Sequence, residues 1–227
     1  MSVEHPRSIR SFVIRAGRLT DAQRRALDEL WPRFGLEFDS KLLDLDEVFG
    51  RKAPRVVEIG FGNGEHLAAL AAQHPERDFL GIEVHPPGIG RLLLALTASG
   101  LTNVRVSGHD AVEVFETQIP PDSLDEVQIL FPDPWHKKRH HKRRLIQAAF
   151  VECVARRLKL GGLLRLATDW QPYAEHMREV LDACALLENV APGGGFIERT
   201  RERAPTRFEQ RGERLGHDIR ELAYRRR

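Results

Sequence analysis

Residues 55–84 read RVVEIGFGNGEHLAALAAQHPERDFLGIEV. A short apolar run ends in glycine, a stretch with helical spacing follows, and a second apolar run closes the unit. Toward the carboxyl end the same rhythm repeats. IGRLLLALTASG reads as a helix stopped by a glycine, NVRVSGHD as a third strand, AVEVFETQ as a short helix and LDEVQILF as a fourth strand. KRRLIQAAFVECVARRL reads as one long amphipathic helix, GGLLRLATD as a fifth strand and YAEHMREVLDACA as a fifth helix. This alternation predicts an α/β fold, a Rossmann-like doubly wound, mostly parallel sheet with helices on both faces.

The flanks depart from that rhythm. From about Leu186 the pattern breaks at Pro192-Gly193-Gly194-Gly195, and a last strand is expected around Arg220 to Tyr224. Toward the amino end, Thr20-Asp21 looks like a helix start and Ala22 to Leu30 like its body, with Pro32 and Gly35 interrupting. Residues 1–50 are therefore expected to form an arm with short helices, partly disordered, and residues 51–227 the main domain with its basic carboxyl-terminal segment.

Hydrophobic residues make up 41% of the 227 positions, enough for a proper core. No run of about 18 apolar residues occurs, so no membrane span is expected. The start, MSVEHPRSIR, has no following apolar stretch, so no secretory signal is expected. Cys153 and Cys184, without a CxxC, argue against a disulfide framework or a zinc site and suit the cytoplasm.

The net charge of +2 hides an uneven distribution. HKKRHHKRR, residues 136–144, holds six Lys/Arg, three His and no acid. Arg199 to Arg227 holds ten Arg against five acids, and the first 34 residues seven Arg against four. Each run alone reads as a solvated face. Three runs on a near-neutral chain, one of them inside an expected loop at the strand ends, point to a polyanionic partner.

Glycines at a strand-to-helix turn let backbone approach a ligand, which makes Gly60 and Gly62 candidate binding positions. Glu83 closes the second strand 21 residues after Gly62, where a carboxylate suits ribose hydroxyls. The spacing is G-x-G-x-G, not the G-x-G-x-x-G of dinucleotide enzymes, and Glu65 occupies the third-glycine position. With Glu58 before the loop, this disfavours a pyrophosphate and fits a cationic sulfonium bearing amino-acid and nucleoside ends. Asp110, ending the third strand, suits an adenine amine and equally an N-cap for the helix at Ala111. Glu58 also reads as a structural carboxylate bonding loop N–H groups.

Phe131-Pro132-Asp133-Pro134-Trp135 follows the fourth strand directly, where doubly wound sheets bind ligands. Prolines stiffen this loop around Asp133, and the cationic run comes next. A stiff acidic loop beside a sulfonium suggests methylation of a base, and the cations suggest that the base belongs to a nucleic acid. A serine hydrolase would need a G-x-S-x-G elbow, which is absent. A metal site at His136, His140 and His141 would suffer repulsion from the interleaved Lys and Arg. Asp169, after the fifth strand, reads either as a residue pointing into the same cleft or as a cap for the helix near Tyr173.

On the stretches VVEIGFGNGEHL, FLGIEVHPPGIG, HDAVEV, FPDPWHKKRHHKRR, GGLLRLATDWQPYAEHM and TRFEQRGERLGH, the chain resembles the bacterial tRNA (guanine-N7-)-methyltransferases. RSFVIRAGRLT resembles that family's amino-terminal arm. The resemblance implies a class I S-adenosylmethionine-dependent methyltransferase fold and methylation of a guanosine in the variable loop of tRNA, with S-adenosyl-L-homocysteine as co-product. It implies that Glu58, Glu83 and Asp110 bind S-adenosyl-L-methionine, and that Asp133 is catalytic and lies against the cofactor. Lys137, Asp169, the strip Thr206-Arg207-Phe208-Glu209 and the run containing Arg139, Lys142, Arg143 and Arg144 would contact the tRNA. The family strip usually has lysine where Arg207 stands, which keeps the charge and changes its geometry. No metal and no obligatory protein partner is implied, and monomer and homodimer both stand open. Two other readings compete: a methyltransferase for a small molecule or protein, and a non-catalytic RNA-binding module. The first leaves HKKRHHKRR unexplained, and the second leaves Glu58, Glu83, Asp110 and Asp133 unexplained.

Overall fold

The computed structural model describes residues 10–13, 17–198 and 218–227. It contains an eight-stranded sheet: β1 (Gly35–Leu36), β2 (Arg55–Ile59), β3 (Asp78–Ile82), β4 (Val104–Ser107), β5 (Leu124–Leu130), β6 (Leu158–Thr168), β7 (Leu187–Asn189) and β8 (Arg220–Arg226), in the order β1-β4-β3-β2-β5-β6-β8-β7. The strands from β1 through β6 pair in parallel, while β8 pairs antiparallel with both β6 and β7. The helices are α1 (Asp21–Phe34), α2 (Leu45–Phe49), α3 (Glu65–Gln73), α4 (Pro86–Ala98), α5 (Ala111–Thr117), α6 (Ala148–Arg157) and α7 (Gln171–Asp182), with a 3-10 turn at Lys138–Arg143.

The pleat sends alternate strand residues to opposite faces. Val57, Ile59, Val127, Ile129, Leu164 and Leu166 pack with α5, α6 and α7 in one core. Val56, Phe79, Val104 and Val106 pack with α1, α3 and α4 in the other. Strand order reverses at β2, whose neighbours are β3 and β5, so the loops leaving β2 and β5 emerge side by side. That is the switch point at which doubly wound sheets bind ligands. Among the described residues, no helix is long and apolar enough to cross a membrane.

The first helix, the helix after β5, a late strand and β1, which joins the sheet from within the expected amino-terminal arm, differ from the sequence expectation. The first helix runs through Pro32 to Phe34: Pro32 falls in the last turn, Phe34 is fully buried, and Gly35 N–H closes on the Trp31 carbonyl. This helix lies along α4, with Gln23 Nε2 donating to the Pro87 carbonyl at 3.0 Å. The long helix expected from Lys142 begins only at Ala148. Its first residues are drawn out of helical geometry: Ile146 N–H donates to the Tyr173 hydroxyl at 3.4 Å, and the Ile146 carbonyl accepts from His176 Nε2 at 2.9 Å. A strand at Leu187–Asn189 lies where the alternation was read as ending. Its partner β8 is distant in sequence, so no local pattern announces it.

Candidate active site

The glycine loop turns on alternate left-handed residues. Gly60, Gly62 and Gly64 have φ of 75°, 59° and 75°, a region that side chains strain to enter. The G-x-G-x-G spacing is thus a backbone requirement, and beside Gly60 the space a Cβ would take is open. The loop is tied to the end of β3, because Glu83 Oε2 accepts from Gly62 N–H at 2.9 Å. Its Oε1 accepts from Val84 and His85 N–H at 2.7 and 3.1 Å. Burial pushes the Glu83 carboxyl above the usual carboxylate range, against the pull of those three N–H groups.

Asp110 follows β4. One of its oxygens caps α5, accepting from Val112 N–H at 2.9 Å, so the capping role is present. Its carboxyl is also pushed up, mainly by burial and further by Glu113, with the Arg10 charge opposing. Glu58 lies in β2, 3% exposed, and its partner is the His66 ring, Nδ1 to Oε2 at 3.0 Å, where loop N–H groups were the alternative expectation. Nothing in the sequence reading singled out His66. The i to i+8 step across a strand, glycine turn and helix start is a signal only once that turn is known.

The loop after β5 is bracketed by strain. Phe131 and Trp135 both adopt positive φ, 51° and 45°, which bulky residues rarely do and which concentrates at functional sites. Between them, Pro132 and Pro134 flank an exposed Asp133. Phe131 N–H is anchored on the Ala167 carbonyl at 2.8 Å. Trp135 donates its indole N–H to the Ser11 carbonyl at 3.1 Å, and the Arg143 guanidinium lies 4.6 Å from its ring centre. Arg143 also reaches the Arg10 carbonyl at 3.4 Å. The described amino-terminal residues thus border the site: Arg10 and Ser11 at this loop, and Gly17 against His85 and Pro87.

Lys137, Arg139 and Lys142 are exposed on or beside the 3-10 turn. Arg144 does not share that face: it is 4% exposed, donates to the Pro134 carbonyl at 3.0 Å and stacks 4.8 Å from the Tyr173 ring centre. The Tyr173 hydroxyl is pushed up to about 12, first by burial, with the Asp133 charge adding. Asp169 leaves β6 beside the β5 loop, and the cap of α7 is Trp170, not Asp169. The three histidines diverge, His136 to the Trp170 ring, His140 to Trp135 and His141 to Arg144. Thr206 to Glu209 lie outside the described residues.

Carboxylates and a left-handed glycine turn thus line the carboxyl ends of β2, β3 and β4, on a parallel sheet closed by an antiparallel β8. That layout is the class I S-adenosylmethionine-dependent methyltransferase fold. Solved structures agree at the level of fold. The aminoglycoside resistance methyltransferase NpmB1 matches with a TM-score of 0.56 and 18% identity, covering 82% of this chain and 95% of that one. The 16S rRNA methyltransferase KamB matches with a TM-score of 0.56 and 16% identity, covering 86% and 99%.

The family model described as "Putative methyltransferase" matches residues 52–222. A tRNA (guanine-N(7)-)-methyltransferase of Leifsonia xyli is 60% identical over 216 residues, 95% of each chain. One of Methylococcus capsulatus is 55% identical over 226 residues, covering 100% of this chain and 97% of that one. The chain belongs to the tRNA (guanine-N(7)-)-methyltransferase family.

Proposed function

We propose that this protein transfers a methyl group from S-adenosyl-L-methionine to N7 of a guanosine in the variable loop of tRNA, acting in the cytoplasm. The observation that carries the reading is the neighbourhood of the two loops. The glycine turn and the strained Asp133 loop leave adjacent strands, and the exposed cations Lys137, Arg139 and Lys142 follow Asp133 directly. Glu58, Gly60, Gly62, Glu83 and Asp110 are assigned to the cofactor. The residues fit it: the turn leaves open space at Gly60, and the buried Glu58 with the half-buried Glu83 and Asp110 suits a cationic ligand.

When bound, S-adenosylmethionine supplies an electrophilic methyl group on a positively charged sulfur. Guanine N7 has an in-plane lone pair, so no protein base need remove a proton first, and the protein's work is alignment. Asp133 is the residue assigned to the base: its carboxylate favours the positive charge that builds on the guanine imidazole ring. Lys137, Arg139 and Lys142 are assigned to phosphates, and Asp169 and the strip Thr206 to Glu209 to the substrate.

The test is methyl transfer from labelled S-adenosylmethionine to unmodified tRNA, with cleavage chemistry locating the product. A 7-methylguanosine in the variable loop is expected. Transfer to free guanosine or to protein, and to no tRNA, would overturn the reading. Asp133→Asn keeps size and removes charge, and it is expected to lower kcat about 100-fold or more. Near-normal turnover removes Asp133 from the catalytic role.

A further inference from the structure

Glu58, assigned above to the cofactor, is paired with His66, a residue with no role so far. Glu58 points to the α3 side of β2, opposite Val57 and Ile59. His66 is the second residue of α3, just past the glycine turn. Both side chains are 4% exposed, and Nδ1 stands 3.0 Å from Oε2. With the carboxylate accepting, Nδ1 carries the hydrogen. Among the described residues, Glu58 Oε1 makes no hydrogen bond, and it is not among the buried, unpartnered atoms.

The other ring nitrogen shows why an imidazole stands here. His66 Nε2 is buried without a hydrogen-bond partner among the described residues, and His66 borders a cleft of about 160 Å³ whose lining includes Glu126, Gln128, Arg165 and Glu221. The next residue, Leu67, is fully buried in the apolar core that α3 shares with α1 and α4. As packing alone, an imidazole is worse than leucine, because it leaves a polar atom unsatisfied. What it contributes is the hydrogen bond to Glu58.

We infer that His66 is a positioning residue for the cofactor site: it fixes Glu58 Oε2, so that Oε1 is presented to S-adenosylmethionine in one orientation. A carboxylate held by a second group loses less freedom when a ligand binds it. The inference rests on the assignment of Glu58 to the cofactor.

Calorimetric titration of S-adenosylmethionine into the full chain tests it, with thermal unfolding recorded for every variant. His66→Leu removes the donor and is expected to raise Kd roughly tenfold, the order of a lost hydrogen bond to a charged group. His66→Asn places an amide N–H near the position of Nδ1 and is expected to restore Kd to within about twofold. A packing role predicts the reverse order, with the apolar leucine tolerated and asparagine not. If His66→Leu does not fold, His66→Met takes its place as the variant without a donor. Glu58→Gln separates the two readings. A weakened Glu58→Gln with an unchanged His66→Leu overturns the positioning role alone. An unchanged Kd in Glu58→Gln overturns the Glu58 assignment, and this inference with it.

Discussion

Glu83 accepts three backbone hydrogen bonds and is still pushed upward, because burial outweighs them. Asp110 is shifted the same way. A carboxyl raised on folding contributes stability that is present below its unfolded pKa and lost as pH rises through the folded value. In the ligand-free protein both groups therefore favour acid pH. A cationic ligand favours their ionised forms, so S-adenosylmethionine affinity is expected to tighten as pH climbs through a range just above that of ordinary carboxylates. Glu83→Gln is expected to flatten that limb in a calorimetric pH series, and an unaltered limb would remove Glu83 from it. Gly88 is a second residue-scale constraint. A Cβ there would stand 2.0 Å from the Gly62 carbonyl oxygen, a backbone atom that cannot step aside without moving the turn. Gly88→Ala is expected to lower stability by about 1–3 kcal/mol by overpacking and to weaken cofactor binding in the same preparation. Unchanged thermal unfolding would show that the helix start and the glycine turn separate freely.

At the scale of elements, the site is made by ties between loops and neighbouring strands. The Asp133 loop is held by the Ala167 carbonyl in β6, by Arg144 on the Pro134 carbonyl and by the Ser11 carbonyl on Trp135. Such ties maintain the left-handed Phe131 and Trp135, whose backbones would otherwise relax. The β8 strand has a comparable lock. Tyr224 is 1% exposed, donates its hydroxyl to Asp182 at 2.5 Å in α7 and accepts from Asn189 at 3.0 Å in β7. Burial and Asp182 both raise its pKa, so the neutral donor is the form present. Tyr224→Phe leaves the Asp182 and Asn189 groups short of a partner and is expected to cost about 1–3 kcal/mol in denaturant unfolding. A cost near zero would show that water replaces the hydroxyl without loss.

For the whole molecule, a net charge of +2 understates its affinity for a polyanion, because the cations are gathered. Lys137, Arg139 and Lys142 are exposed on the edge that carries Asp133, whereas Arg144 from the same run is buried. Affinity for tRNA is expected to fall linearly with the logarithm of salt concentration. Replacing Lys137, Arg139 or Lys142 by alanine is expected to reduce that slope by about one each. Arg144→Ala is expected to leave the slope alone and lower thermal stability, since its guanidinium holds Pro134 and Tyr173. Equal slope losses for all four would mean that the run acts as one undivided patch.

The order of strands and helices from Arg55 to Asp182 was legible from local rhythm, because backbone hydrogen bonding and burial impose periods of two and 3.6 on neighbouring residues. The glycine turn and the Phe131 to Trp135 loop were legible for the same reason, as short stretches with unusual backbone demands. Tertiary structure decided which partner each polar group took. It gave Glu58 to His66, turned Arg144 inward while Lys137 stayed in solvent, and drew Leu145 to Gln147 out of a helix toward Tyr173 and His176. It also added β7, whose ladder with β8 joins residues far apart in the chain. Local periodicity tells a residue which face it occupies. Only packing tells it what stands opposite, because that neighbour is supplied by another part of the chain.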